Sequence, residues 1–149
     1  MSIEYFEDVK LHQKYRSGEY PLSEKEIIDF AREWNPRPMH FDPSVAEKTE
    51  MGGLFAAGAH LIAITARILP KKEPTTAIVA AVAVDKLRFL NPARPGDILI
   101  LESEAISKRE SKSRPNVGIV AFAYRLLNQR GELVLTYEST ALVEKRPKS

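Results

Sequence analysis

The chain has no cysteine, and that absence removes several kinds of chemistry. Without a thiol among its 149 residues it can form no disulfide, no thiolate metal site and no cysteine nucleophile. Long apolar runs without charge are also missing, because the nearest one, residues 52–66, ends at Arg67, short of the about 18 residues that span a membrane. The first fifteen residues hold no apolar core of a signal peptide. We therefore expect a cytoplasmic protein without a membrane segment.

Neither sign of charge is in large excess. The sequence has 22 Lys and Arg against 20 Asp and Glu, a net charge of +2. Nucleic-acid-binding domains usually show a clustered basic face, so we predict no nucleic-acid partner. The length suits a single domain over residues 1–149, large enough for one hydrophobic core.

Two helix-start signals and two prolines organise residues 20–50. Ser23 and Glu26 have the spacing of a capping box, in which the hydroxyl accepts the Glu26 amide and the carboxylate reaches back. Pro36 ends this helix, and Pro38 is expected to keep the next segment extended. The pair Asp42-Pro43 predicts another short helix with Asp42 as its N-cap. Four apolar residues lie on one face of the first helix: Ile27, Phe30, Ala31 and Trp34.

The rest of the chain predicts one apolar helix and then four strands. Residues 54–69 are apolar nearly all round, which is typical of a helix buried on most sides. Strand-like segments then begin near residues 76, 98, 117 and 133, separated by turns and by the charged loop 107–116. Long strands joined by short turns form antiparallel sheets. The predicted fold is α+β, with a long central apolar helix wrapped by a curved antiparallel sheet.

His40 lies in the segment EWNPRPMHFD, which its prolines make stiff. A single histidine in a loop is commonly a structural residue, but imidazole is also the commonest general acid or base at neutral pH. Downstream, glycines surround a helix start, where free amides can stabilise a developing oxyanion. No G-x-S-x-G or phosphate-binding glycine motif is present. His12, His40 and His60 share no ligand spacing, so we predict no metal.

These features together resemble the MaoC-like dehydratases, or (R)-specific enoyl-CoA hydratases, of the hot-dog fold. The resemblance covers residues 19–143 and is most specific at the Pro-x-His-x-Asp run, at Gly58 and at the Arg-Pro-Gly-Asp turn. It implies reversible addition of water to a trans-2-enoyl thioester, with a CoA or acyl-carrier thioester as substrate and no cofactor. It also implies a homodimer or a higher even oligomer, in which an exposed edge strand is covered.

The resemblance also implies catalytic residues. The family motif Asp-x-Asn-Pro-x-His places its histidine at His40 and its acid at Asn35, and Gly58 becomes the helix-start amide that polarises the thioester carbonyl. Asn35 departs from the motif, because an amide cannot accept a proton at neutral pH; it could still position the water. Asp42 and Glu33 are the nearest carboxylates, and we read Asp42 as an N-cap rather than a base.

Further residues are candidates for binding the ligand. Lys112 and Arg114, in a basic loop with Lys108 and Arg109, could meet CoA phosphates or simply keep the loop soluble. Arg94 could contact the ligand or could be only a surface residue of its turn. The remaining candidates near the motif and the helix start are Arg37, Pro38, Phe55 and Ala57, with Leu61 and Ile62 as acyl-tunnel or plain core residues.

Three functions stay open at this point. The first is the hydratase or dehydratase, with activity weakened by Asn35. The second is a non-catalytic acyl-thioester-binding subunit, which the same residue favours. The third is thioester hydrolysis, which would need a carboxylate such as Glu33 to face the helix start.

Overall fold

Residues 2–148 are described by a computed structural model. Its helices are α1 (Glu24–Trp34), α2 (Pro38–Phe41), α3 (Pro43–Glu47) and α4 (Gly58–Arg67). Its strands are β1 (Ile3–Glu4), β2 (Tyr15–Arg16), β3 (Tyr20–Pro21), β4 (Thr75–Thr76), β5 (Ile78–Phe89), β6 (Ile98–Glu110), β7 (Val117–Leu127) and β8 (Leu133–Glu144). No helix in this part of the chain is long and apolar enough to cross a membrane.

The four long strands form the antiparallel sheet that the sequence predicts. Their order is β6-β7-β8-β5, and β2 and β3 pair with the outer side of β6. The turn between β7 and β8 has Gly131 at φ 75°, a left-handed conformation that glycine adopts without steric cost. β6 runs four residues further than predicted, so the charged loop shortens to residues 111–116.

α4 packs on the sheet but is shorter and less buried than the sequence suggested. It begins at Gly58, and residues 54–57 form neither helix nor strand. His60, Leu61, Ile64 and Thr65 are buried, while Ile62 on the opposite face is 39% exposed. The expectation of burial on most sides is therefore wrong for the single chain, because only one face of α4 meets the sheet and α1.

The sequence predicted that Pro38 keeps its segment extended, and this prediction is wrong. It is the first residue of α2, where its fixed φ suits a helix and its missing N–H costs nothing. Arg37, the residue before Pro38, is extended with φ −98° and ψ 129°, as expected of a residue that precedes proline. A single helical turn therefore carries His40.

The main core lies between the sheet and one side of α1 and α4. It is formed by buried aliphatic side chains, among them Leu22, Ile27, Leu61, Ile64, Leu99, Leu101, Leu126 and Leu135. In contrast, every residue of β5 is exposed. An apolar edge strand is therefore the part of the sheet that the single chain leaves uncovered.

Candidate active site

His40 is held by a hydrogen bond to the segment that leads into α4. Its side chain is only 4% exposed, and Nδ1 lies 3.0 Å from the carbonyl oxygen of Phe55. The Phe55 ring also packs edge-on against the imidazole, with 4.7 Å between ring centres. Position and orientation of the imidazole are thus set by residues fifteen positions away in sequence.

This hydrogen bond fixes which nitrogen of His40 carries the proton. A carbonyl oxygen can only accept, so Nδ1 must be the donor. In a neutral imidazole the other nitrogen, Nε2, then has a free lone pair. His40 is thereby arranged as a proton acceptor at Nε2.

The amino end of α4 lies at the same site and has no side-chain cap. Its N-cap residue is Ala57, which has no oxygen to accept a backbone N–H, and no side chain substitutes for it. The amides of a first helical turn have no partners within the helix and carry partial positive charge. Gly58 therefore presents a free amide of the kind that stabilises a developing oxyanion.

His40 and Gly58 line one cavity of about 320 Å³. Asn91 is its other polar side chain, and its Nδ2 already donates to the carbonyl of Leu133 at 2.7 Å. The remaining lining is apolar: Met51, Phe55, Ala56, Leu61, Phe89, Leu90 and Pro92. Among residues 2–148, His40 is thus the only titratable residue in the lining, which suits an apolar acyl group and a single proton acceptor.

Phe89 explains why position 58 is a glycine. A Cβ added there would lie 2.7 Å from Cζ and 3.0 Å from Cε1 of the Phe89 ring. The ring comes from the end of β5 and covers the start of α4. Sequence reasoning missed Phe89 because only the register of the sheet brings residue 89 over residue 58.

The other predicted residues of the proline segment lie outside the cavity lining. Asn35 is the C-cap of α1, and its amide donates to the carbonyl of Ala31 at 2.9 Å. Its half-buried side chain has no hydrogen-bond partner within residues 2–148. Arg37 and Pro38 are exposed at the start of α2. The structure thus brings together His40, Phe55 and Gly58 in one cavity lining. Ala57 is the N-cap residue of α4 and is not part of that lining.

Neither carboxylate considered as a substitute base faces this cavity. Asp42 caps α3, accepting the backbone N–H of Ser44 at 3.0 Å and its hydroxyl at 2.8 Å. These hydrogen bonds hold the pKa of Asp42 below its usual range. Glu33 lines a separate cleft between α1 and α4, together with Trp34 and His60.

That separate cleft, of about 500 Å³, is larger than the His40 cavity but lacks an uncapped helix start. Its floor is a hydrogen-bonded group in which Tyr20 and His60 Nε2 each lie 2.7 Å from Glu26 Oε2. Burial, and next the bond to Glu26, raise the pKa of Tyr20 to about 12. The predicted capping box therefore forms only by half: Ser23 accepts the Glu26 amide at 3.1 Å, while the carboxylate binds Tyr20 and His60.

The predicted cationic ligand contacts do not line the cavity. Arg94 is half-buried and donates to backbone carbonyls of residues 51–54. Lys112 and Arg114 are exposed in the loop between β6 and β7. Strand pairing places that loop beside the start of β5, whereas the cavity borders its end. Eleven residue steps of strand, roughly 35 Å, separate the two.

Comparison with known proteins identifies the family of the chain. The family described as MaoC like domain matches residues 8–122. The crystal structure of a MaoC-like dehydratase from Rhodospirillum rubrum is 34% identical with a TM-score of 0.89, covering 97% of this chain and 99% of that one. An (R)-hydratase from A. caviae involved in PHA biosynthesis is 26% identical with a TM-score of 0.70, covering 93% and 98%.

A curated relative points to the same group of proteins. The mitochondrial 3-hydroxyacyl-[acyl-carrier-protein] dehydratase of Arabidopsis thaliana is 29% identical over 120 residues, which cover 80% of this chain and 67% of the relative. A structure described as a double hot-dog fold also aligns with 97% of the chain at a TM-score of 0.75. The chain therefore belongs to the MaoC-like domain family and has the hot-dog fold.

Proposed function

We propose that this protein catalyses the reversible addition of water to a trans-2-enoyl thioester, giving a 3-hydroxyacyl thioester. The observation that carries the proposal is the shared cavity, into which a proton-accepting imidazole and an uncapped helix start both open. The related (R)-hydratase and 3-hydroxyacyl-[acyl-carrier-protein] dehydratase support the reaction class.

In the hydration direction, His40 Nε2 removes a proton from water as the water oxygen bonds to C3 of the thioester. The electron pair of the double bond moves towards the thioester oxygen, where the Gly58 amide stabilises the negative charge. The protonated imidazole then returns its proton to C2, which restores the carbonyl. Because the described residues 2–148 place no other titratable side chain in the cavity lining, one imidazole serves as base and then as acid.

The direct test is incubation with crotonyl-CoA and with a longer enoyl-CoA. Loss of absorbance of the conjugated double bond without release of free thiol supports hydration. Tight binding without turnover would instead identify a non-catalytic acyl-thioester-binding subunit, the alternative that Asn35 favours. Release of free thiol would identify a thioesterase, which has less support because Glu33 faces the other cleft.

Asn35→Asp tests whether the acid position of the motif reaches the water although Asn35 lies outside the cavity lining. A second proton acceptor at that water should raise kcat/KM for hydration by about tenfold or more, since acid–base terms typically contribute 10²- to 10⁴-fold. Initial rates with crotonyl-CoA measure the effect, and Asn35→Ser, which adds no charge, is the control. An unchanged rate would show that this side chain does not reach the water.

We further propose that two copies associate through β5. This strand is the uncovered edge of the sheet, and its apolar residues are unusually open: Val79, Val82 and Val84 are each more than half exposed. Long apolar edges invite pairing with another chain. Pairing around a two-fold axis sets the start of one β5 beside the end of the other. That would bring Lys112 and Arg114 of one copy towards the cavity of the second, where a CoA phosphate could meet them.

Val84→Lys should convert the dimer into a monomer at micromolar concentration, because it puts an ammonium group in the middle of the paired edge. Val84→Thr is the matched control, since it keeps the β-branched shape that strands favour. Sedimentation velocity measures the mass of both variants. A monomeric unmodified protein would contradict the proposed pairing.

A further inference from the structure

We propose that Arg94 is a positioning residue of the active site: its guanidinium holds the segment that sets the proton on His40. The inference rests on the proposed role of His40 as the base, but it concerns how that base is prepared. It replaces the expectation that Arg94 binds the ligand.

Arg94 donates hydrogen bonds to three carbonyl groups of one irregular segment. Nη1 lies 2.9 Å from the carbonyl oxygen of Gly53 and 3.2 Å from that of Leu54, and Nη2 binds the carbonyl of Met51. Residues 51–57 form neither helix nor strand, so their backbone groups need partners from elsewhere. Arg94 is the only side chain in residues 2–148 that donates to residues 51–54.

The carbonyl that orients His40 lies directly after the part held by Arg94. Phe55 accepts from His40 Nδ1, and on its other side the amide of Ala56 donates to the carbonyl of Ala93 at 2.9 Å. Since each peptide unit is planar, anchors at residues 54 and 56 fix the direction of the Phe55 carbonyl between them. Both anchors come from the turn that contains Arg94.

That turn is itself rigid. Asp97, which is 4% exposed, accepts the Arg94 amide at 2.8 Å through Oδ2 and the Gln129 side chain at 2.9 Å through Oδ1. Gly96, at φ 87°, allows the chain to close this loop. The Arg-Pro-Gly-Asp run therefore places a planar, forked donor on a fixed base beneath the active site, and a lysine ammonium would not match its geometry.

The experiment compares unmodified protein with Arg94→Met and Arg94→Lys by two readouts. Nitrogen-15 spectra of the histidine side chains, taken where imidazole is neutral and assigned with His40→Gln, report which nitrogen of His40 is protonated. The unmodified protein should show one tautomer with the proton on Nδ1, and Arg94→Met should show a mixture. In crotonyl-CoA assays both variants should lose about tenfold in kcat with little change in KM, and added guanidinium should restore part of the loss in Arg94→Met.

The two readouts separate this inference from the proposed function. An unchanged tautomer in Arg94→Met would overturn the positioning role whatever the activity. A raised KM with unchanged kcat would show that Arg94 binds the ligand and would overturn the positioning role. A mixed tautomer in a protein that hydrates no enoyl-CoA would support the positioning role and reject the proposed reaction. Thermal melting of each variant provides the folded fraction by which rates are corrected.

Discussion

Replacing His40 with glutamine should lower kcat for hydration of crotonyl-CoA by about 100- to 10,000-fold, the usual contribution of general acid–base catalysis. Glutamine keeps a polar side chain of similar size, and its amide nitrogen takes the place of Nε2 rather than of Nδ1, the atom that bonds the Phe55 carbonyl. It offers no lone pair that accepts a proton at neutral pH. Because no carboxylate of the described part of the chain lines the cavity, no such side chain can replace the imidazole as proton acceptor. Steady-state kinetics on the purified variant measures the loss.

His60→Gln is the matched control for this experiment. His60 is also buried, at 3% exposure, and also has one ring nitrogen in a hydrogen bond. It belongs to the cleft between α1 and α4, with Glu26 as partner, and should leave kcat within a few-fold. A His40→Gln protein that retains normal kcat would remove the imidazole from the mechanism. Equal losses in both variants would point to a shared effect on folding.

The strands could be predicted well because their signal is local. β7 has the bounds that the sequence predicts, and the alternation of buried and half-buried residues in β7 follows from a sheet with one covered face. The start of α4 could not be placed in the same way. Residues 54–57 are as apolar as the helix that follows, but backbone groups of residues 54–56 bond to Arg94, His40 and Ala93 instead of to a helical turn.

The motif predicted which residues lie together but not what holds them. The resemblance implied His40 as base and Gly58 as oxyanion donor, and both residues line one cavity, whereas their roles stay proposals. The roles of Phe89 and Arg94 could not be predicted from the sequence, because each contacts residues about thirty to forty positions away: Phe89 lies against Gly58, and Arg94 donates to Gly53. The sequence shows that this turn contains an arginine. Only the structure shows that the Arg94 guanidinium already donates to backbone carbonyls.

Gly58→Ala should lower kcat by about 100-fold, the lower end of the range for loss of one oxyanion donor. Gly58 has no positive φ, so alanine fits its backbone, and the cost is steric. The new Cβ would lie 2.7 Å from Cζ of Phe89, a side chain that is 53% exposed, so the ring or the helix start has to move. We expect this movement to displace a thioester carbonyl from the Gly58 amide. Single-turnover rates at saturating crotonyl-CoA measure the chemical step.

The steric origin of that loss can be separated from the amide itself by a second substitution. Phe89→Ala removes the ring, so the double variant Gly58→Ala/Phe89→Ala should recover about tenfold or more of the lost kcat, a non-additive result expected of residues in contact. Phe89→Ala alone leaves the amide in place and tests how far the ring shapes the acyl pocket. If the effects of the two substitutions on kcat are additive, the loss in Gly58→Ala does not arise from contact with Phe89. Recovery would instead show that the end of an exposed edge strand determines how closely a ligand oxygen approaches α4.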